Sequence, residues 1–163
     1  MDSKYQHLQR TFGPLYNEKS EILILGSFPS VKSREVNFFY GHPQNRFWKV
    51  ISAVYGCPTP STIEEKTEFV LSNRIALWDT IDSCDIIGSS DSSIKNVVPT
   101  DLGKILTETK ISRIFVNGKK AENLYRKYQQ QTTGRECMVL PSTSPANAAC
   151  TLECLIRIWR EII

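Results

Sequence analysis

With 163 residues, 40% of them hydrophobic and 23% charged, the chain has the size and apolar content of one compact domain with its own core, spanning residues 1–163. A net charge of +3 permits a polyanionic partner without requiring one. No run approaches the roughly 18 apolar residues of a membrane span, and the start Met-Asp-Ser-Lys-Tyr-Gln-His lacks a basic segment leading into an apolar one, so a cytoplasmic location and no membrane partner are expected.

The first strand-like run is Glu21 to Leu25, which empties into Gly26-Ser27-Phe28-Pro29-Ser30. An aromatic cluster (Phe38, Phe39, Tyr40) and then Gly-His-Pro-Gln-Asn-Arg-Phe-Trp follow; aromatic faces mixed with amides suit a flat, hydrogen-bonding ring such as a nucleobase. Phe47, Trp48, Ile51, Val54 and Tyr55 keep helical spacing until Gly56. A second strand is expected over Arg74 to Trp78, and Asp79 to Val98, rich in Ser, Asp and Gly, is read as one long irregular segment. Leu102, Ile105 and Leu106 belong to a helix started by Pro99-Thr100-Asp101. Then come a strand over Ser112 to Asn117, a basic helix from Gly118 to about Gln131, a strand over Glu136 to Leu140, and a last helix from about Ala146 onward.

Strands alternating with helices imply parallel pairing through right-handed crossovers. The expected fold class is therefore α/β, a three-layer α/β/α sandwich with a central four-stranded parallel sheet. Ligands of such sheets bind beyond the carboxyl ends of the strands. The five cysteines form no CxxC pair and are odd in number, so free thiols are expected rather than a disulfide framework. Cys150 and Cys154, four residues apart on the expected last helix, make a poor metal site without a histidine, and neither metal nor cofactor is expected.

Asn117 stands where the apolar run Ile114-Phe115-Val116 meets a glycine. Its amide can accept from a ring N–H and donate to the adjacent carbonyl, the edge shared by uracil and hypoxanthine; a turn or cap asparagine has the same local signature. Lys119 and Lys120 follow at a helix start, either for phosphate or as a solvated face. Ser142-Thr143-Ser144-Pro145 offers hydroxyls and backbone N–H groups to phosphate, or a cap to the next helix. His42 precedes Pro43, in a bond open to the cis form, and reads as an orienting residue. Asp79, Asp82, Asp85 and Asp91 share one segment, yet nothing in the spacing ties two of them into an acid–base pair.

Gly-Ser-Phe-Pro-Ser, Gly-His-Pro-Gln-Asn-Arg-Phe-Trp, Val-Asn-Gly and Pro-Ser-Thr-Ser-Pro-Ala, in that order, resemble the motifs of the uracil-DNA glycosylase superfamily from Glu21 onward. Ala76-Leu77-Trp78-Asp79 and Gly88-Ser89-Ser90-Asp91-Ser92-Ser93-Ile94 place the resemblance in its hypoxanthine-DNA (deoxyinosine) glycosylase branch. The resemblance implies hydrolysis of the N-glycosidic bond of a deaminated base in DNA, without metal or cofactor, by a protein taken to act as a monomer. It implies that Gly26 to Ser30, with Phe28 among them, lies against the extruded base and the water, that Tyr40 stacks on the base and that Asn117 reads it. Ser142, Ser144, Pro145 and Ala146 match the DNA-binding motif.

Where uracil enzymes of that family carry Asp, and mismatch enzymes Asn, this chain has Phe28, and the resemblance gives the water-positioning role to Asn45. Ser142 replaces a histidine that stabilises the uracil anion, and Ala146 replaces a wedge leucine. Both losses suit a poorly paired deoxyinosine, which costs less to flip, with Ser27 and nearby N–H groups receiving charge from the leaving base. Uracil remains the alternative substrate, a nucleobase- or damaged-DNA-binding module without chemistry is the competing class, and an ordinary nucleotide-binding domain lacks its glycine-rich signature.

Overall fold

The structure, a computed structural model, describes residues 4–163. Strand β1 (Gln6–Gln9) is followed by β2 (Ile22–Gly26), buried along its whole length. Helix α1 (Val31–Val36) is capped by Ser30, whose hydroxyl accepts from the Ser33 N–H, and α2 (Phe47–Val54) comes next. Helix α3 (Ile63–Ser72) opens with a capping box between Thr62 and Glu65. Then follow β3 (Ile75–Asp79), β4 (Ile81–Ile86), β5 (Lys95–Pro99), α4 (Gly103–Glu108), β6 (Arg113–Asn117), α5 (Lys119–Tyr128), α6 (Gln130–Thr133), β7 (Cys137–Leu140) and α7 (Leu152–Trp159).

Strands β3, β2, β6 and β7 lie in that order in one sheet, every pair parallel. Alternate residues of β2 point to opposite faces, and both faces are covered, which is why the run reads as unbroken hydrophobics. Ile22, Ile24 and Phe115 pack with Phe47, Trp48 and Ile51 of α2 and Trp159 of α7. Leu23, Leu25, Ile114 and Val116 pack with Ile105 of α4 and with Ala121 and Tyr125 of α5. The expected α/β/α sandwich with four parallel strands is thus present. In register, Gly26 faces Asp79 and Asn117 faces Leu140, so the strand ends and their loops open on one rim.

Two local expectations are corrected and one open point is resolved. The segment from Asp79 to Val98 is mostly strand: β4 lies between β1 and β5 in an antiparallel sheet. Its core-facing residues Ile81, Ser83, Cys84 and Ile86 are interrupted by Asp82 and Asp85, and a register shift breaks the alternation that would mark it in the sequence. The last helix begins at Leu152 behind a Thr151 cap, not near Ala146, because Arg46 binds the carbonyls of Ser144, Asn147 and Cys150 that a helix there would use. The His42–Pro43 bond is trans, as are all peptide bonds among the described residues.

The two sheets are joined by a buried ion pair. Arg10, beyond β1, places its guanidinium over Phe12 and on the carboxylate of Asp79, with the two side chains 3% and 7% exposed. Arg10→Met leaves that carboxylate buried and uncompensated, and urea unfolding is expected to show a loss of about 3–5 kcal/mol. Adding Asp79→Asn to the same variant is expected to recover part of it.

Candidate active site

A cavity of about 300 Å³ opens where β2, β3, β6 and β7 end. Gly26, Ser27 and Phe28 line it from β2 and its loop, and Tyr40, His42 and Asn45 from the segment before α2. Asn117 lines it from the end of β6, and Ser142, Thr143, Ser144, Pro145 and Ala146 from the loop after β7. Lys119 and Lys120 lie outside its wall; the Lys119 ammonium is exposed, 3.6 Å from Glu122.

Two glycines let the walls close. A Cβ on Gly26 would stand 2.5 Å from Asp79 Oδ1 and 3.3 Å from the Tyr40 hydroxyl, so only glycine lets β2 pass this close to both. Gly118 has φ +98°, and a Cβ there would meet the Ser142 side chain at 3.0 Å.

Thr143, fully buried, ties the two asparagines together. Its backbone N–H donates to Asn117 Oδ1 at 3.0 Å, which fixes that amide's orientation, and Asn117 Nδ2 donates to Thr143 Oγ1 at 3.0 Å. The Thr143 hydroxyl in turn donates to Asn45 Oδ1 at 2.8 Å, an oxygen that also accepts from the Phe47 N–H at 2.9 Å. A hydroxyl has one proton, so the chain has a direction. Asn45 Oδ1 is fully engaged and its Nδ2 donors have no partner among the described residues; Asn117 keeps one N–H and one lone pair.

The aromatic wall is equally constrained. Tyr40 adopts φ +52° and stacks on Phe47 with ring centroids 4.0 Å apart, so only its other face is open to a ligand. Its buried hydroxyl lies beside the Asn117 amide without a close hydrogen bond. Burial, and then the nearby Asp79 carboxylate, push its pKa far above the usual phenol value, and the group stays a neutral donor. His42 Nδ1 accepts from the Gln44 N–H at 3.1 Å, which leaves the neutral ring's proton on Nε2.

Phe28 is packed with Ile81, Cys84, Ile86 and Leu124, and Arg34 lies over its ring, so an apolar ring anchored in the core stands where related enzymes carry Asp or Asn. Carboxylates do reach the cavity, from Asp79 and Asp91, two of the four aspartates that the spacing alone does not connect. Asp85 instead binds His7 and Asn96. Asp91 Oδ1 accepts from the Ser27 hydroxyl at 3.2 Å.

The loop after β7 is held from within. The hydroxyls of Ser142 and Ser144 accept from the N–H groups of Ser144 and Ala146, and the N–H groups of Asn147 and Ala148 go to carbonyls of the same loop. Those backbone donors are therefore consumed, and what this turn can offer an anion is its hydroxyl protons, not the free N–H groups expected. Arg46 clamps the loop through three carbonyls at 2.6–3.0 Å. The sequence gives Arg46, Asp79 and Asp91 no role and offers Thr143 only as a hydroxyl for phosphate; each lies within or beside a quoted motif, but their roles depend on contacts with distant segments. All five cysteines are free, and no cluster of three or more metal-ligating side chains occurs among the described residues. No helix among them is long and apolar enough to cross a membrane.

Known proteins resemble this chain in sequence and in fold. The chain is 36% identical over 145 residues to a hypoxanthine DNA glycosylase of Methanosarcina acetivorans, covering 86% of this chain and 89% of that protein. It is 32% identical over 142 residues to a protein of the same name from Methanosarcina barkeri, covering 83% and 86% respectively. A solution NMR structure from Methanosarcina acetivorans, provisionally named a uracil DNA glycosylase, superposes with a TM-score of 0.79 at 31% identity over 96% of this chain and 99% of that one. Residues 14–163, a stretch that contains every loop lining the cavity, match the family described as the uracil DNA glycosylase superfamily, and the chain belongs to it.

Proposed function

We propose that this protein is a DNA glycosylase that hydrolyses the N-glycosidic bond of deoxyinosine, releasing hypoxanthine and leaving an abasic site. The observation that carries this reading is the Thr143 bridge, which presents two oriented amides to one cavity at the end of a parallel sheet. The relatives named hypoxanthine DNA glycosylase support it.

The base must leave the duplex to reach the cavity, at a cost of a few kcal/mol that is least for a poorly paired lesion. Asn117 reads the extruded base: its remaining N–H and lone pair complement the adjacent carbonyl and ring N–H of hypoxanthine. Tyr40 offers its open face to the ring. Asn45, with Nδ2 turned to the cavity, holds the water by donating to its oxygen. Bond cleavage places negative charge on the purine, and neutral donors fixed in advance stabilise it without a titrating acid. The Ser27 proton is directed at Asp91, so the donors free for this task are His42 Nε2–H and the asparagine amides.

Along the loop after β7 and the start of α5, the hydroxyl protons of Ser142 and Ser144 and the ammonium groups of Lys119 and Lys120 contact DNA phosphates, with exposed Pro145 and Ala146 toward the duplex. One domain carries the activity as a monomer. The five free thiols agree with a cytoplasmic setting.

A single-turnover assay on duplexes with one deoxyinosine or one deoxyuridine tests the assignment: alkali-labile sites and free hypoxanthine are expected, with uracil released at least about 100-fold more slowly. Faster uracil release, or salt-sensitive DNA binding with no abasic product, contradicts it. Asn45→Ala is expected to slow hypoxanthine release by about 100- to 1,000-fold with duplex affinity changed little; a full rate removes Asn45 from the reaction. Thr143→Val, of the same shape without the hydroxyl, is expected to cost about 1–3 kcal/mol in urea unfolding and about 100-fold in rate.

A further inference from the structure

Asn45 can hold a water but cannot take its proton. Its Oδ1 already accepts from Thr143 and Phe47, and what faces the cavity is the Nδ2 donor pair. A water that attacks a sugar carbon must lose a proton as its oxygen becomes bonded, so an acceptor is required on the same cavity. Tyr40 is a neutral phenol there, and His42 uses Nδ1 to accept from the Gln44 N–H. Asp79 is held by Arg10 through Oδ2 and lies beneath Gly26, 7% exposed.

Asp91 is different. It stands in the turn between β4 and β5, its Oδ1 on the Ser27 hydroxyl and its Oδ2 without a partner among the described residues. The turn is built to hold it: the Ile87 N–H donates to Ser93 Oγ, the Val31 N–H of α1 to Ser89 Oγ, and Arg34 to the Gly88 carbonyl. Its carboxylate thus comes to the first loop, beside Ser27, although the residue at position 28 is an apolar ring.

We propose that Asp91 is the general base of the hydrolysis, an inference that rests on the glycosylase reading above. The water oxygen bonds to C1′ of the sugar while a water proton passes to the Asp91 carboxylate. The C1′–N9 bond breaks and its electron pair leaves with the purine, which afterwards takes up a proton, the one on Asp91 being returned through solvent. Asn45 fixes the water oxygen and Asp91 takes its proton, so the two residues divide the work that one carboxylate would do alone.

The charge environment suits this role. Asp91 is open to solvent on one side and crowded by protein on the others; desolvation raises its pKa above the ordinary carboxylate value, and Asp79 adds to the rise. The Ser27 hydrogen bond and the Lys120 charge from α5 act the other way, and Arg34 from α1 binds the same turn. A base must be ionised to act, so the rate rises with pH through the Asp91 pKa and is level above it.

Single-turnover release of hypoxanthine from a deoxyinosine duplex, followed from pH 4 to 9 at saturating enzyme, tests the proposal. Asp91→Asn is expected to lower the plateau rate by about 100- to 10,000-fold and to abolish the acid limb, with affinity for a 2′-fluoro-deoxyinosine duplex kept within about threefold. Ser27→Ala, which removes a hydrogen bond to the ionised form, is expected to move the acid limb to higher pH, and it decides the matter if Asp91→Asn also loses binding. If the unaltered protein releases hypoxanthine and Asp91→Asn keeps its rate within threefold, or keeps the acid limb, Asp91 is not the base and the glycosylase reading stands. If the unaltered protein releases no hypoxanthine, both fall together.

Discussion

One hydroxyl proton orders the cavity. Thr143 Oγ1 accepts a hydrogen bond from Asn117 Nδ2 and donates its own to Asn45 Oδ1, and because it has only one proton to donate, neither amide is free to turn over. The Thr143 backbone N–H anchors the far end of this chain on Asn117 Oδ1, and the Phe47 N–H anchors the near end on Asn45 Oδ1. Three segments distant in sequence are thereby locked: the end of β6, the loop after β7 and the turn leading into α2. The buried setting strengthens each bond and makes any unmade one costly, so the bridge acts as a single unit.

Support for the bridge comes from around it. Parallel register brings Asn117 level with Leu140, and the Gly118 N–H donates to the Leu140 carbonyl, so the two loops leave the sheet together. Arg46, next to Asn45 in the chain, holds the loop after β7 by its carbonyls, and the Arg46 N–H donates to the Thr143 carbonyl. The Trp159 indole N–H donates to the Pro141 carbonyl and ties the same loop to α7. Charge is set around the cavity in two ways: Asp79 is buried and paired with Arg10, whereas Asp91, also on the cavity, is more exposed. Such an arrangement suits a reaction that draws negative charge onto the base and positive charge onto the sugar.

Much of this was legible before any coordinates. The four parallel strands announced themselves because both their faces are buried, which turns each into a short apolar run, and the loops at their ends carried the motifs. Strands β4 and β5 stayed hidden because one side of that sheet is solvated and a register shift disturbs the alternation, so Ser and Asp read as loop. The start of α7 was misplaced because Ser-Pro looks like a cap, whereas the carbonyls beyond it belong to Arg46. Asp91 lies 64 residues from Ser27 along the chain, and no local pattern could pair them. The Asn45 position could be read from its motif, but which of its atoms faces the cavity depends on a threonine 98 residues away.

The most direct test of the central claim is a crystal structure of the protein bound to a duplex carrying 2′-fluoro-deoxyinosine, at a resolution that orders the water. The account predicts the purine inside the cavity with its carbonyl and ring N–H on Asn117, the Thr143 bridge intact, and a water on Asn45 Nδ2. A purine left stacked in the duplex or bound elsewhere, or an Asn45 turned so that Oδ1 has left Thr143 to hold the water, would contradict it.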